Sequence, residues 1–335
     1  MQKNKTLMLF AIWFAIWQPM MAASWRVNNN PAVNAHFSNF ADAVTSANAG
    51  DTLYIEGSLT SYGTQTIGKK LILIGPGYFL NQNDSTQAVN LNAIFDNLTI
   101  DTGADGSEVY GLYIDNQAFI SANHVVFARN HNAAHGYSKI VLAKSNLVTN
   151  CAVIQNYCNI IGTYDNFKGA YNCMISNNIV ATEIAFNQYS TLIVFNNVVK
   201  NNVNVYYSVM KNNIQYSGQG YGFYINTGNV FEYNFTIKST ILPGAGNVSM
   251  FVPSEVFIDF DGVLGYSTDG KWQLKAGSPA ISAGENGTDC GAYGGLTPYV
   301  LSGMPAVPHI FEAVVPSAGS TQSGLPVTIK VKGQN

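Results

Sequence analysis

The sequence predicts an all-β solenoid: a parallel β-helix entered through a short cap helix and followed by a short C-terminal β appendage. Three observations carry this prediction. A strand-and-asparagine unit recurs along the chain. The composition is rich in β-formers but poor in charge. An amphipathic segment stands just ahead of the first expected strand.

The recurring unit is two to four apolar residues at alternating positions, then Asn or Asn-Asn. It occupies 125–130, 152–156, 173–180, 192–199, 208–214 and 230–234. Counted at the first Asn of each (130, 156, 177, 196, 212, 234), the steps are 26, 21, 19, 16 and 22 residues. Their mean of about 21 lies in the range of solenoids and arrays. A unit this short, rich in Val, Ile, Phe and Tyr, holds two or three short strands. It does not bury its apolar face alone, so it must stack, each strand pairing in parallel with its equivalent about 4.8 Å away. Asn tolerates the left-handed conformation and so turns the chain at each corner. Stacked corner Asn side chains are expected to bond up the axis as a ladder. At the mean step the stack would hold roughly ten coils. The alternative is an antiparallel sandwich with Asn-rich turns. That fold favours Asn-Gly or Asp-Gly hairpins, whereas the Asn-Asn pairs here precede apolar residues.

Charged residues are 10% of the 335 and hydrophobic residues 47%. Soluble domains usually carry about 25% charge. With 19 Tyr and 18 Phe to bury, the chain is no disordered polymer. A formal charge of −3 and the lack of a basic run argue against nucleic acid as a partner.

Lys3 and Lys5, an apolar run over 7–17, Pro19, and small Ala22 and Ala23 before Ser24 read as a secretory signal over 1–23. A buried N-terminal helix is the alternative. The run is shorter than the roughly 20 residues of a membrane span, and no later stretch looks transmembrane. The protein is therefore expected to be secreted, periplasmic or at the cell surface. Phe37, Phe40, Ala41, Val44 and Ala47 fall at helical spacing and predict a cap helix over 36–47, with strands at 52–55 and 70–74. Gly- and Ala-rich sequence over 266–295 is expected to form tight last coils, which places the solenoid domain at 24–298. Pro305, Pro308 and Pro316 punctuate the remainder, 299–335. There, 311–315 and 327–331 alternate like two strands of an appendage folded along the stack.

Cys151 and Cys173 are 22 residues apart at the starts of successive repeats and should stack in neighbouring coils, as small core residues or as a disulfide. Cys158 and Cys290 have no placement relative to each other. No zinc-ligand spacing is present, and no metal or cofactor is expected.

Three passages resemble the right-handed parallel β-helix proteins of the pectate-lyase-like superfamily, especially exported bacterial members without assigned activity. The entry, Phe40-Ala41-Asp42-Ala43-Val44 through Ala49-Gly50-Asp51-Thr52-Leu53-Tyr54-Ile55 to Gly75-Pro76-Gly77, is similar to that family's cap helix and first coil. The Asn-ended rungs are similar to its stacked coils. Gly277-Ser278-Pro279-Ala280-Ile281 with Asp289-Cys290-Gly291-Ala292-Tyr293-Gly294 resembles its closing coil. The resemblance implies fold far more than function, since such scaffolds carry lyases, hydrolases and non-catalytic adhesins. The family's catalytic patterns are not matched: Gly-His-Gly, Asn-Thr-Asp, Asp-Asp and Arg-x-Lys are missing.

The expected function is a non-catalytic exported β-helix that binds polysaccharide or serves a structural role at the cell surface. The alternative is a lyase or glycoside hydrolase acting on uronate glycans at a face near 101–144, the stretch richest in ionisable groups. Elimination needs a base and a neutraliser of the carboxylate, calcium in some versions. Hydrolysis needs two carboxylates about 5–9.5 Å apart. The candidates are Arg129, His131, His135, Lys139, Asp101 and Asp115. The two Asp each end an apolar strand and read either as stacked corners or as turn caps, and 130–138 reads as a long loop over one face. Tyr206, Tyr207, Tyr221 and Tyr224 are candidate sugar-stacking residues, with alternation into the core as the other reading.

Overall fold

The computed structural model describes residues 22–164, 167–218, 220–322 and 324–333, so nearly all of the expected leader lies outside the described residues. The chain alternates between two long sheets. The first runs in sequence order through Ser24–Val27, Thr52–Ile55, Ile72–Ile74, Glu108–Tyr110, Val126–Ala128, Ala152–Ile154, Ala170–Ser176, Thr191–Phe195, Val209–Lys211 and Val230–Glu232. The second runs from Thr64–Ile67 through Tyr113–Ile120, Lys139–Leu142 and Tyr157–Thr163 to Val248–Ser249. Pairings within both are parallel, for example Val153 with Phe127 on one side and Ile175 on the other. This all-β arrangement of stacked parallel strands is compatible with a parallel β-helix. It excludes the antiparallel sandwich.

The second sheet bends along its length. Its register slips between Phe95 and Asn97 and again between Cys158 and Ile160. Between those rungs one coil is split into His131–Asn132 and Lys139–Leu142. The sheet therefore presents two strips, one beside the Asn corner and one beyond it.

Side chains at every second strand position point inward and stack from rung to rung. Leu53, Leu73, Val109, Phe127, Val153, Ile175, Val194, Met210 and Phe231 form one such column, all buried. Burying each contributes about 1.5–3 kcal/mol relative to exposure. Cys151 and Cys173 sit in adjacent rungs of the same interior, with the Cys151 N–H donating to Cys173 Sγ at 3.4 Å. Cys158 is in the core as well, and all four thiols are free and buried.

The corner between the first sheet and the second divides its work between two residues. The first takes the left-handed conformation: Arg129 (φ 57), Gln155 (58), Asn177 (55), Asn196 (51), Asn212 (57) and Tyr233 (57). The second is always Asn and forms the ladder. Each of Asn130, Asn156, Asn178, Asn197, Asn213 and Asn234 sends its backbone N–H and its Nδ2 to the Oδ1 of the next, ending on Asn247. The expected ladder is present, but counting from the first Asn mixed two positions. Asn130, Asn156 and Asn234 are second-position residues, preceded by Arg129, Gln155 and Tyr233.

The helix is shorter than expected, Phe40–Ser46 rather than 36–47. Asn39 caps it, with Oδ1 accepting from Ala41 N at 2.8 Å, and this fixes Asn39 in extended conformation. Upstream, Phe37 bridges to Val27, and His36 meets Trp25 edge-on. Phe40 packs edge-to-face on Phe95 at 5.0 Å.

The Gly-rich segment expected to close the stack does something else. It carries no parallel rung and runs back along the outside of the Asn corner, from late coils to early ones. Cys290 Sγ donates to Tyr233 O, and Gly291 N donates to Asn212 O. Asn196 Nδ2 donates to Asp289 O, and Asn177 Nδ2 to Ala292 O and Gly294 O. Gln155 Nε2 reaches Pro298 O, and Arg129 Nη1 reaches Met304 O. Lys211 pairs with Glu232 of the stack at 2.7 Å and Glu285 of this strap at 2.6 Å. Small residues are needed because the strap lies on backbone. A Cβ at Gly303 would stand 2.5 Å from Arg129 O of the stack, and one at Gly291 2.8 Å from Ile214 Cδ1. Beneath the strap a second core forms outside the coils, joining Ile179, Val198, Ile214 and Phe235 to Phe257 and Trp272. Beyond it, His309–Val314 and Thr328–Lys332 form an antiparallel pair.

Two predictions follow from these contacts. Asn178→Ala leaves Asn156 N without its acceptor and Val153 O without its side-chain donor in a fully buried corner, at about 1–3 kcal/mol per group. Urea unfolding should show a loss of about 3 kcal/mol or more, while exposed Asn146→Ala changes stability by less than about 0.5 kcal/mol. Asn177→Gly keeps the left-handed backbone but removes the strap contacts. It should speed limited proteolysis within 285–304 at least several-fold while leaving the β circular-dichroism signal unchanged.

Candidate functional site

The six ionisable candidates do not converge on one site, although Asp115 and His135 are in contact. Asp101 caps its own turn, Oδ1 accepting from Thr102 N at 2.8 Å. Ile100 pairs with Ile120, whereas Ile114 pairs with Phe95, so Asp101 and Asp115 lie at opposite ends of their strands rather than as stacked corners. Asp115 Oδ2 is 3.2 Å from His135 Nε2, on the loop between the two strips, where His135 stacks on Tyr137. Arg129 is at the Asn corner and held by the strap. Burial lowers its pKa, with Tyr110 and Tyr78 opposing.

His131 is not a loop residue. It lies in the strand His131–Asn132, 4% exposed. Its ring stacks between Tyr113 (4.2 Å) and Tyr157 (5.6 Å), with Tyr78 and Phe79 over it. Its Nδ1 has no hydrogen-bond partner. Burial therefore pushes its pKa down to about 3, and it remains a neutral packing group.

Lys139 stands apart from these on the farther strip of the second sheet. Its Nζ donates to Thr163 O at 2.7 Å, and its stem crosses the space left by Gly162, where a Cβ would be 3.3 Å from Lys139 Cε. Gly162 is also obligatory because that Cβ would collide with Ala185 O. Burial lowers the Lys139 pKa, partly offset by Glu183. Around it opens a groove of about 520 Å³ lined by Lys139, Thr163, Tyr164, Asn187, Gln188, Asn204 and Tyr206, with Ala185 and Phe186. Asn187 donates to Lys168 O, and Asn204 accepts from Asn226. No Asp or Glu is among the described lining residues. Tyr164, 69% exposed, stands 6.4 Å from Phe119, whose face holds Lys144 Nζ at 3.5 Å.

Of the four candidate Tyr, only Tyr206 lines this groove. Tyr207, next in the chain, is exposed outside it with a positive φ against Gly228, and Tyr221 and Tyr224 are exposed on the following coil. Thr163, Tyr164, Asn187 and Gln188 were not anticipated. They come from successive coils, and only aligning the outward positions of neighbouring repeats could have gathered them.

A larger hollow of about 880 Å³ lies between the 82–86 loop, the strap and the C-terminal strands. Its polar groups are mostly consumed by docking. Gln82 Oε1 accepts from Thr268 N, Asn83 Nδ2 donates to buried Asp269, and Tyr293 OH donates to Asp269 O. It reads as the seam of the strap rather than as a receptive site. Among the described residues, no three His, Cys, Asp or Glu converge as around a metal ion, and no helix is long and apolar enough to cross a membrane.

No protein-family model, curated protein or solved structure matches the chain.

The His131 environment has a measurable consequence. Its folded pKa is depressed below the ordinary 6.5, so between 6.5 and about 3 the unfolded chain binds a proton that the folded chain refuses. The stability contribution is present above 6.5 and is lost as pH falls. From pH 7.5 to 4.5, urea unfolding of His131→Phe should lose about 2–3 kcal/mol less than the parent.

Proposed function

We propose that this is an exported right-handed parallel β-helix protein of the pectate-lyase-like type that binds an acidic polysaccharide without cleaving it. The helix Phe40–Ser46 serves in this reading as the cap of the stack. The observation that carries the functional proposal is the groove around Lys139. Uncharged amide and hydroxyl groups in a shallow trough match the hydroxyls of a sugar chain. Tyr164 and Tyr206 supply flat apolar faces for sugar rings. Lys139, half-buried and bonded only to a carbonyl, supplies a positive charge for a uronate carboxylate. The missing carboxylate pair in the lining supports binding over hydrolysis. The exported setting, outside the cytoplasm or on the cell surface, is where such polymers are met.

Affinity electrophoresis and calorimetry with polygalacturonate, alginate and a neutral glucan test the reading. Binding to at least one uronate polymer is expected. Lys139→Met and Tyr164→Ala should each weaken it about tenfold, near 1.4 kcal/mol. Unaltered affinity in both variants would remove the groove from consideration. Unsaturated product at 235 nm, or new reducing ends, would replace the binding role with catalysis.

A further inference from the structure

Asp51 sits in the turn between the helix and Thr52–Ile55 and is 1% exposed. Its carboxylate takes three hydrogen bonds: from Ala23 N at 2.7 Å, Asn48 N at 2.9 Å and Trp25 Nε1 at 3.0 Å. All three donors are neutral. Lys69 acts on Asp51 only at a distance, because its ammonium is bonded to Ala47 O at 2.8 Å and Thr45 O at 3.4 Å. A buried carboxylate ordinarily has a cation beside it.

Among the described residues, Ala23 is the first tied to the fold in this way. Its N–H reaches Asp51, and its carbonyl accepts from Thr52 N at 2.8 Å. Ala22, one residue earlier, is exposed. The two peptide bonds flanking Ala23 are therefore unequal as sites of cleavage. A cut after Ala23 removes both bonds and leaves Asp51 Oδ1 and Thr52 N unsatisfied. A cut before Ala23 keeps both and turns the Ala23 amide into an ammonium 2.7 Å from the carboxylate.

We propose that the chain is processed between Ala22 and Ala23, and that the freed α-ammonium of Ala23 becomes the cationic partner of Asp51. The step is hydrolysis by an export peptidase. Water adds across the amide, the C–N bond breaks, Ala22 leaves as a carboxylate, and Ala23 keeps the nitrogen and takes up the proton. This moves the leader boundary one residue ahead of the Ala23/Ser24 junction that the small-residue pattern suggested. The inference rests on the export reading and adds a specific site to it.

N-terminal sequencing of the protein recovered from outside the cytoplasm of its source cells tests the cut. A chain starting at Ala23 is expected. A start at Ser24 or beyond overturns this inference and leaves export standing, whereas a chain that retains its leader overturns both. The ion pair is tested on three chains released from a cleavable tag, beginning at Ala22, Ala23 and Ser24. The Ala22 chain keeps the N–H but moves the charge away, so its Tm should fall about 2–4 °C below that of the Ala23 chain. The Ser24 chain should fall further. Equal Tm for the Ala22 and Ala23 chains would overturn the ion pair.

Discussion

Everything else in this structure hangs on the Asn corner. A parallel coil must turn sharply between strands every rung, and the turn leaves backbone groups facing inward with no strand to pair them. From Asn130 onward the second residue of each corner, an Asn, satisfies them, and Asn130 Oδ1 also accepts from Leu112 N of the corner before it. Asn178, for example, accepts from Asn156 N and Nδ2, and donates to Val153 O and to Asn197 Oδ1. Only a side chain with a carbonyl and an amide at that length does both at once. The preceding position asks only for a left-handed backbone, so Arg129, Gln155 and Tyr233 occupy it as well as Asn.

That division frees the first-position side chains to point outward, and the strap is built on them. Asn177, Asn196 and Asn212, with Gln155 and Arg129, bond to carbonyls and amides of the returning segment. The strap, together with Tyr78, Phe79 and Phe257, covers the strip of the second sheet nearest the corner, where Tyr113, His131, Tyr157, Ile179, Val198, Ile214 and Phe235 form an outward column. Residues that would look like a reactive cluster on an open sheet are there dry packing groups. Burial, more than any partner charge, decides the character of His131 and Arg129.

The farther strip has no such cover. Its outward positions hold Lys139, Gly162 and Ala185, small enough around one long cation to leave a trough. The scarcity of charge that marks the whole chain is part of the same design. Ladders and strap contacts use neutral amides, which satisfy buried backbone without the desolvation that charges incur. A half-buried Lys in a trough lined by amides, hydroxyls and aromatic rings, with Glu183 two rungs away in register, therefore has chemical meaning in a protein that spends so few charges elsewhere.

The sequence by itself determined the periodic part: parallel rungs, a corner Asn ladder, a helix ahead of the first strands and two late strands, whose antiparallel pairing the structure supplied. Each follows from local rules, namely alternation, the left-handed tolerance of Asn and helical spacing, that repeat often enough to outweigh their individual ambiguity. Even so, the pattern could not tell the turning Asn from the bonding one where both were Asn. Tertiary structure alone decided the course of the Gly-rich segment, because a closing coil and a strap share the same need for small residues and differ only in what they touch. It also decided the candidate site. Arg129, His131 and Lys139 are close in sequence, yet a corner, a covered strip and an open strip hold them apart, while Lys139, Tyr164 and Asn187 come together because one coil returns the chain to the same face.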